Sequence, residues 1–436
     1  KVKIGDFLFE RKGRYKPNDE QIVNLPRIEK IDFSGNFHIG NKDSKTDMIL
    51  IKDGDLVISG INVAKGAMGI YSGEDVTATI HYSSYTFDSN KINVEYFKRF
   101  LKSSEFIELL NEQVKGGIKT EIKPKHILPL EIQLPDINTQ AQIVQHFENV
   151  EDDIADVTKE VLKQESLLKK LKQTILQEAI EGKLTAKWRA KNPDIGKAKE
   201  LLEQIKKEKE KLIKDKKIKA SKPLPPINED EIPFDIPQNW EWCRTDDICF
   251  SISSGSTPSK DAFIGDDGIS YLKVYNIQNQ KIDFHFKPQF IKQKINNTKL
   301  KRSILYPQDV VMNIVGPPLG KIAIIPNIYP QWNCNQAIVH FKLIEPLMHK
   351  YLYYFLRELS FLKYIHFKGI AGQDNISITQ SRSILFPLPP LEEQKEIVAT
   401  IEKLFAICDE LESEINQNKT TVDNLMATVL KEAFEN

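Results

Sequence analysis

The chain has 436 residues, enough for two or three domains with a sizeable core, and it is 40% apolar and 28% charged, the balance of a soluble globular protein. No apolar run reaches the roughly 18 residues that a membrane-spanning helix needs, and no signal peptide is present, so a cytoplasmic location is expected. Lys+Arg and Asp+Glu stand at 61 each, so total charge identifies no partner. The balance is local, however. Residues 238–386 carry 17 Lys+Arg against 11 Asp+Glu, residues 183–237 carry 15 against 10, and residues 387–436 carry 4 against 11. Such a chain can offer a polyanion some faces and not others. Cys243, Cys249, Cys334 and Cys408 form no CxxC pair and have no histidine cluster beside them, which favours reduced thiols over zinc ligands or disulfides.

Taken in chain order, residues 1–133 read as an α+β domain. The chain opens on Lys1 rather than Met, so its true start is expected upstream. Short β-rich runs with turn signals come first, including "LIKDGDLVIS" (50–59) and "GAMGIYSGEDVTATI" (66–80). A helical run follows, "NVEYFKRFLKSSEFIELLNEQ" (93–113), then a Gly-containing loop, "KGGIKTEI" (115–122). Residues 134–193 form a spacer helix introduced by "LPDINTQAQIV". Its apolar residues Ile143, Phe147, Val150, Ile154, Val157, Val161, Leu168, Leu171 and Ile175 step by four and three, with one polar seam position, Gln164. The helix is expected to run about 42 residues, or roughly 63 Å. Residues 194–237 hold a Lys/Glu-rich helix and a Pro-rich linker, "SKPLPPINEDEIPFDIP". Whether that charged helix is merely solvated or docks on a partner or on a DNA backbone stays open.

Residues 238–386 and 387–436 repeat this plan. "ILYPQDVVMN" answers "LIKDGDLVIS", so Asp309 matches Asp55 at a separation of 254 residues. "LPPLEEQKEIV" begins 254 residues after "LPDINTQAQIV", and "TVLKEAFE" lies 254 residues after "TILQEAIE". The second helix carries the same seam at Ile397, Ile401, Leu404, Cys408, Leu411, Ile415, Val422, Leu425 and Val429, with Asn418 at the polar position. Polar seam residues lower stability but set register and partner, so Gln164 and Asn418 are expected to govern how the helices pair. Ile143, Phe147, Val150, Ile154, Leu171, Ile397, Ile401, Leu404, Leu411 and Leu425 are expected to make the apolar contacts.

Catalytic motifs are missing. "GPPLGKI" (316–322) has three residues between its glycines where a phosphate loop needs four, two of them prolines without N–H, and Ile follows the Lys. It also lacks the amide and the aromatic of the Asn-Pro-Pro-aromatic motif of amino-methyltransferases. Triplets such as Glu121-Ile122-Lys123 are too common to indicate a nuclease. Two similar domains spaced by paired helices instead suit a long linear ligand with two recognition elements a set distance apart, as DNA half-sites are.

The tandem plan, the "LPPLEEQKEIV" lead-in, the "AIEGKLTAKWR" exit and the "PLPPI…IPFDIPQNWEWCRTDDI" approach resemble, over essentially the whole chain, the specificity subunit of type I restriction-modification enzymes. One departure is that "IPQNWEW" precedes the second domain, while the first begins abruptly at "KVKIGDF". The resemblance implies an α+β, pseudo-two-fold chain. Two target recognition domains (1–133 and 238–386) would each read half of a bipartite DNA site. Two long helices paired as an antiparallel coiled coil would space them. The chain would be noncatalytic and bind no cofactor itself. Two methyltransferase subunits would use S-adenosylmethionine to methylate adenine, and two motor-nuclease subunits would use ATP and Mg. Candidate DNA contacts in polar or basic loops are Arg11, Lys12, Arg14, Lys65, Lys115, Lys119 and Lys123 in the first domain. In the second they are Ser254, Ser256, Lys260, Lys273, Lys321, Lys368, Gln373 and Asn375, of which Gln373 and Asn375 suit adenine. A coiled-coil scaffold without a DNA role, an enzyme with an unfamiliar site, and a methylation-only or phage-exclusion system remain alternatives.

Overall fold

The computed structural model describes residues 1–41, 44–61, 67–113, 122–365 and 375–434. Two compact units result: Lys1–Gln164 with Glu414–Asn436, and Glu165–Ser413. Each unit takes one domain plus a portion of both long helices, whereas the sequence reading kept each helix whole in its own segment. The helices run Ile137–Ile180 and Leu391–Phe434, 44 residues each. Their starts and their ends are both offset by the 254 residues of the sequence repeat.

The repeated Leu-Pro…Gln phrase has a mechanical explanation. Asp136 caps the first helix, its carboxylate accepting from the backbone N–H groups of Asn138 and Thr139 and from the Thr139 hydroxyl at 2.6 Å. These bonds, led by that hydroxyl, hold its pKa below the usual carboxylate range. One turn on, the buried amide of Gln140 donates to the carbonyl of Pro135 at 2.8 Å, and Gln394 makes the same bond to Pro389 at 2.9 Å. A helix start leaves backbone groups without intrahelical partners, and proline offers a carbonyl but no N–H. The glutamine therefore ties each helix start to the Leu-Pro segment that leads into it.

In the first unit the strands of the two main sheets are β1 (Leu8–Glu10), β2 (Arg27–Ile31), β3 (Phe37–Gly40), β4 (Met48–Ile51), β5 (Leu56–Ser59), β6 (Met68–Ile70), β7 (Val76–Thr79) and β8 (Tyr82–Phe87). They form two four-stranded sheets ordered β1-β8-β5-β6 and β3-β2-β7-β4, the β2–β7 pair being parallel. Leu56 and Ile58 of β5 point into a core shared with Phe97, Phe100 and Phe106 from helices Val94–Phe100 and Ser104–Gln113. Phe147 of the first long helix and Phe434 of the second complete it, their rings stacked 5.9 Å apart. Thus the early half of one helix meets the late part of the other.

The second unit repeats the plan with β9 (Cys249–Ser254), β10 (Phe263–Ile264), β11 (Ile269–Leu272), β12 (Phe290–Ile291), β13 (Val310–Asn313), β14 (Ile322–Ile324), β15 (Trp332–Cys334) and β16 (Ile338–Leu343). Its sheets are β9-β16-β13-β14 and β10-β12-β11-β15, with β11 and β15 parallel. The register matches residue for residue: Val57 faces Gly69, and Val311 faces Ala323. Here too an early helix half meets a late one, with Lys172 reaching Asp409 at 2.9 Å and Glu412 at 2.7 Å.

The charged segment is docked rather than merely solvated. Helix Ala198–Lys214 buries Ala198, Leu202 and Ile205, and Lys209 reaches both the backbone and the carboxylate of Asp246. Burial pushes the Asp246 carboxyl up, but Arg382 and Lys209 together hold it below its ordinary value. The join is also pinned at Glu393, which is fully buried and accepts from Arg189, from Thr185 at 2.8 Å and from the Trp240 indole at 2.9 Å. Gly182 turns the chain there with φ near +71°, and a Cβ on it would stand 2.5 Å from Pro237.

Candidate functional site

One buried carboxylate organises each domain. Asp55, just before β5, accepts from Arg11 at 2.5 and 2.7 Å, from the Ser84 hydroxyl at 2.7 Å and from the Lys52 N–H at 3.0 Å. That hydrogen bonding raises the Arg11 pKa further, so the guanidinium is committed to the scaffold. Asp309 is its counterpart, with Lys342 at 3.5 Å and the Tyr306 N–H at 2.9 Å. Burial pushes the Asp309 carboxyl up, and Lys342 opposes the shift. Where the first domain has Ser84, opposite Val57, the second has His340, opposite Val311. His340 is fully buried with neither ring nitrogen hydrogen-bonded, and burial, reinforced by Lys342 and Arg302, pulls its pKa down to about 3.

Above this scaffold the loops collect at one end of each principal sheet. In the first domain they follow β1 and β5 and precede β6 and β8. Their bases are tied by Ser59 N–H to Ala67 O, Gly60 N–H to His81 O and Ile122 N–H to Gly60 O. The second domain has Asn313 N–H to Lys321 O, Ile314 N–H to Ala337 O and Ile376 N–H to Ile314 O. Two of these three bonds are displaced by 254 residues at both donor and acceptor. The Asn313 side chain also accepts from the Lys321 N–H at 2.8 Å and donates to the Pro318 carbonyl at 2.9 Å, bracing the 314–321 loop.

The sequence candidates fall around these ends. Lys12 and Arg14 stand exposed after β1, and Lys123 is exposed next to the tie at Gly60. Ser254 closes β9, Lys260 is exposed beyond it, and Asn375 bridges to Val315. Lys273 follows β11, its ammonium 5.7 Å from the Phe263 ring centroid and 6.0 Å from that of Tyr275. Lys321 precedes β14 and lines a small cavity with Tyr275, Gln278 and Phe286. Lys65, Lys115, Lys119, Lys368 and Gln373 lie outside the described residues. Ammonium groups of this kind suit phosphates, and amides suit base edges. Among the described residues, no His/Cys/Asp/Glu group is arranged to hold a metal, and no helix is long and apolar enough to cross a membrane.

Comparison with known proteins decides what this layout is. The family described as the type I restriction modification DNA specificity domain matches residues 237–418. The specificity subunit of the type I restriction enzyme EcoEI from Escherichia coli is 32% identical, the match covering 59% of this chain and 43% of that relative's length. The EcoAI specificity subunit, also from E. coli, is 28% identical over 93% of this chain and 77% of its own. The fold agrees as well. The HsdS subunit from Thermoanaerobacter tengcongensis covers 99% of this chain and 95% of its own with a TM-score of 0.56 at 15% identity. A chain from a structure of type I R-M complex assembly and conformational transition gives 0.67, also at 15% identity, covering 99% and 96%. Residues 237–418 thus match the type I restriction modification DNA specificity domain, and the chain as a whole is similar to type I specificity subunits.

Two of the candidates turn out to be scaffold as much as surface. Arg11 is bound to Asp55. The Ser256 hydroxyl accepts from Arg302 at 3.0 Å, and its carbonyl accepts from the Tyr271 hydroxyl at 2.8 Å. Sequence reasoning missed two exposed residues that the fold brings to the same loops, Thr257 and Gln336, whose side chains are hydrogen-bonded to one another. The signal available was Gly255, which directly follows β9 and stands two residues before Thr257. Among the helix residues, Phe147, Ile397 and Ile401 are fully buried, and Ile143, Val150, Ile154 and Leu404 are half-buried. Leu171, Leu411 and Leu425 stay 45%, 41% and 40% exposed, Gln164 is half-buried and Asn418 is exposed. The expected seam is therefore open in places.

Proposed function

We propose that this chain is the noncatalytic DNA-reading subunit of a type I restriction-modification complex, each domain reading one half of a bipartite duplex site. The observation that carries the reading is the recurrence, in both domains, of one scaffold whose sheet end gathers exposed cationic and amide-bearing loops on the same backbone ties. Ammonium and guanidinium groups such as Lys12, Arg14 and Lys260 position a domain on phosphates, and amides and hydroxyls beside them reach base edges in a groove. The partners are two methyltransferase subunits, which bind S-adenosylmethionine and flip the adenine to be modified, and two motor-nuclease subunits, which use ATP and Mg. Paired open seam positions support a matched pair of docking surfaces: Val157 and Leu411 are 47% and 41% exposed, Leu171 and Leu425 45% and 40%, and each pair is separated by 254 residues.

The direct test is binding of a fluorescent duplex library by the complex of this chain with its methyltransferase subunit, titrated across salt concentrations. Salt-sensitive binding with enrichment of a two-part sequence supports the reading. Stable complexes with no salt-dependent affinity for duplex DNA would point to a scaffold.

A further inference from the structure

We propose that Gln336 is a specificity-determining residue of the second domain, reading a guanine through the two N–H bonds of its side-chain amide. The proposal rests on the DNA-reading function above and deepens it. Gln336 lies exposed between β15 and β16, at the sheet end where the 255–260 and 314–321 loops gather.

Its platform is rigid. A Cβ at Gly255 would stand 2.1 Å from the carbonyl oxygen of Cys334 and 2.2 Å from that of Asn335, so the two chain segments touch backbone to backbone and only glycine fits. The Gly255 N–H donates to the Ile338 carbonyl, the Ser256 N–H to that of Cys334, and the Asn335 N–H to that of Leu272. Arg302 and the Tyr271 hydroxyl hold Ser256 from the other side. A backbone on such a base is already in place before binding, which precise readout requires.

The orientation of the amide sets the base. The Thr257 hydroxyl donates to Oε1 of Gln336. With one lone pair of its oxygen taken by Thr257, the amide keeps both N–H bonds of its –NH2 group to donate. Guanine shows two acceptors in the major groove, N7 and O6, which two N–H donors match. Adenine read bidentately needs an acceptor as well as a donor, and cytosine presents a donor, N4–H2, which the amide repels. The corresponding place in the first domain, two residues before the β8 start at Tyr82, is Ile80, which cannot make this contact.

The experiment is selection from a randomised duplex library by the intact complex carrying wild-type, Gln336→Ala, Gln336→Glu or Thr257→Val chains. The wild type is expected to select a guanine at one position of one half-site. Gln336→Ala should lower discrimination at that position about 10- to 100-fold and leave the other half-site unchanged. Gln336→Glu, whose second carboxylate oxygen can only accept, should turn the preference towards cytosine. Thr257→Val frees the amide to rotate and should admit adenine beside guanine. Unchanged consensus sequences from the two Gln336 variants overturn the proposal while leaving the DNA-reading function standing. A wild-type complex that selects no sequence overturns that function, and the assignment of Gln336 with it.

Discussion

The two domains are one scaffold with two sets of contacts. β1-β8-β5-β6 and β9-β16-β13-β14 share order and register, and the loop bases are tied by equivalent backbone bonds. The buried carboxylate is kept in both, yet its cation comes from different places: Arg11, just beyond β1, serves Asp55, and Lys342, on β16, serves Asp309. Ser84 hydrogen-bonds to the first carboxylate, whereas the buried His340 takes its place in the second domain without a hydrogen-bond partner. Backbone geometry is therefore held constant while side chains around it vary. A recognition module that must present different loops on a common frame has this division built in.

The largest effect expected is at the carboxylates. Asp55→Ala strands the part-buried Arg11 and the buried Ser84, and should destabilise the first domain by about 3–5 kcal/mol. Asp309→Ala breaks a longer contact and should cost the second domain only about 1–3 kcal/mol. Because the chain holds two units, a single melting curve will blur them; hydrogen exchange of β5 and β13 amides separates the two. Equal protection losses in the two variants would refute the asymmetry.

Acid should distinguish the domains next. His340 is held neutral, its folded pKa near 3 against an ordinary 6.5. A depressed pKa contributes stability that is present above the unfolded value and is lost as pH falls towards the folded one, so the window runs from 6.5 down to 3. At pH 4.5 the loss comes to about 3 kcal/mol, at about 1.4 kcal/mol per unit. Exchange protection in β16 should fall accordingly, and His340→Leu should remove that part of the pH dependence. The equivalent strand β8, with Ser84, should not show it.

The helix lead-ins differ more gently. Gln140 accepts from the Asn93 N–H and donates to the carbonyls of Lys91 and Pro135, whereas Gln394 donates to Pro389 and leaves its Oε1 without a hydrogen bond. Gln140→Ala is expected to cost about 2 kcal/mol and Gln394→Ala about 1 kcal/mol, in denaturation followed at each helix start. The smallest effects belong to exposed cations. Lys12→Gln and Lys260→Gln should leave stability unchanged, weaken binding to all duplexes alike, and each lower the slope of log affinity against log salt by about 1.

Much of this was legible because the repeat is periodic. A seam stepping by four and three residues, copied at a fixed offset, placed one long helix in 134–193 and one in 387–436, where helices run Ile137–Ile180 and Leu391–Phe434. Which half of a helix packs into which unit was not legible. The stacking of Phe147 on Phe434 joins residues 287 apart, and nothing in either local pattern marks the other as its partner. Loop residues fared similarly. Arg11 and Lys12 look alike in sequence, but only the fold shows that Asp55 claims the first. Gln336 sits in the hairpin-like run "GKIAIIPNIYPQWNCNQAIVHF", and its exposure at a loop end emerges only once β15 and β16 are bounded.

The central claim is that two like domains read two separate half-sites. It is tested most directly by expressing the chain with its methyltransferase subunit in a host lacking such systems and mapping methylated adenines genome-wide. A two-part motif with an invariant gap is predicted, with Gln336 variants altering one part alone. A single uninterrupted motif, or no new methylation from a complex that assembles and stays intact, would contradict the account.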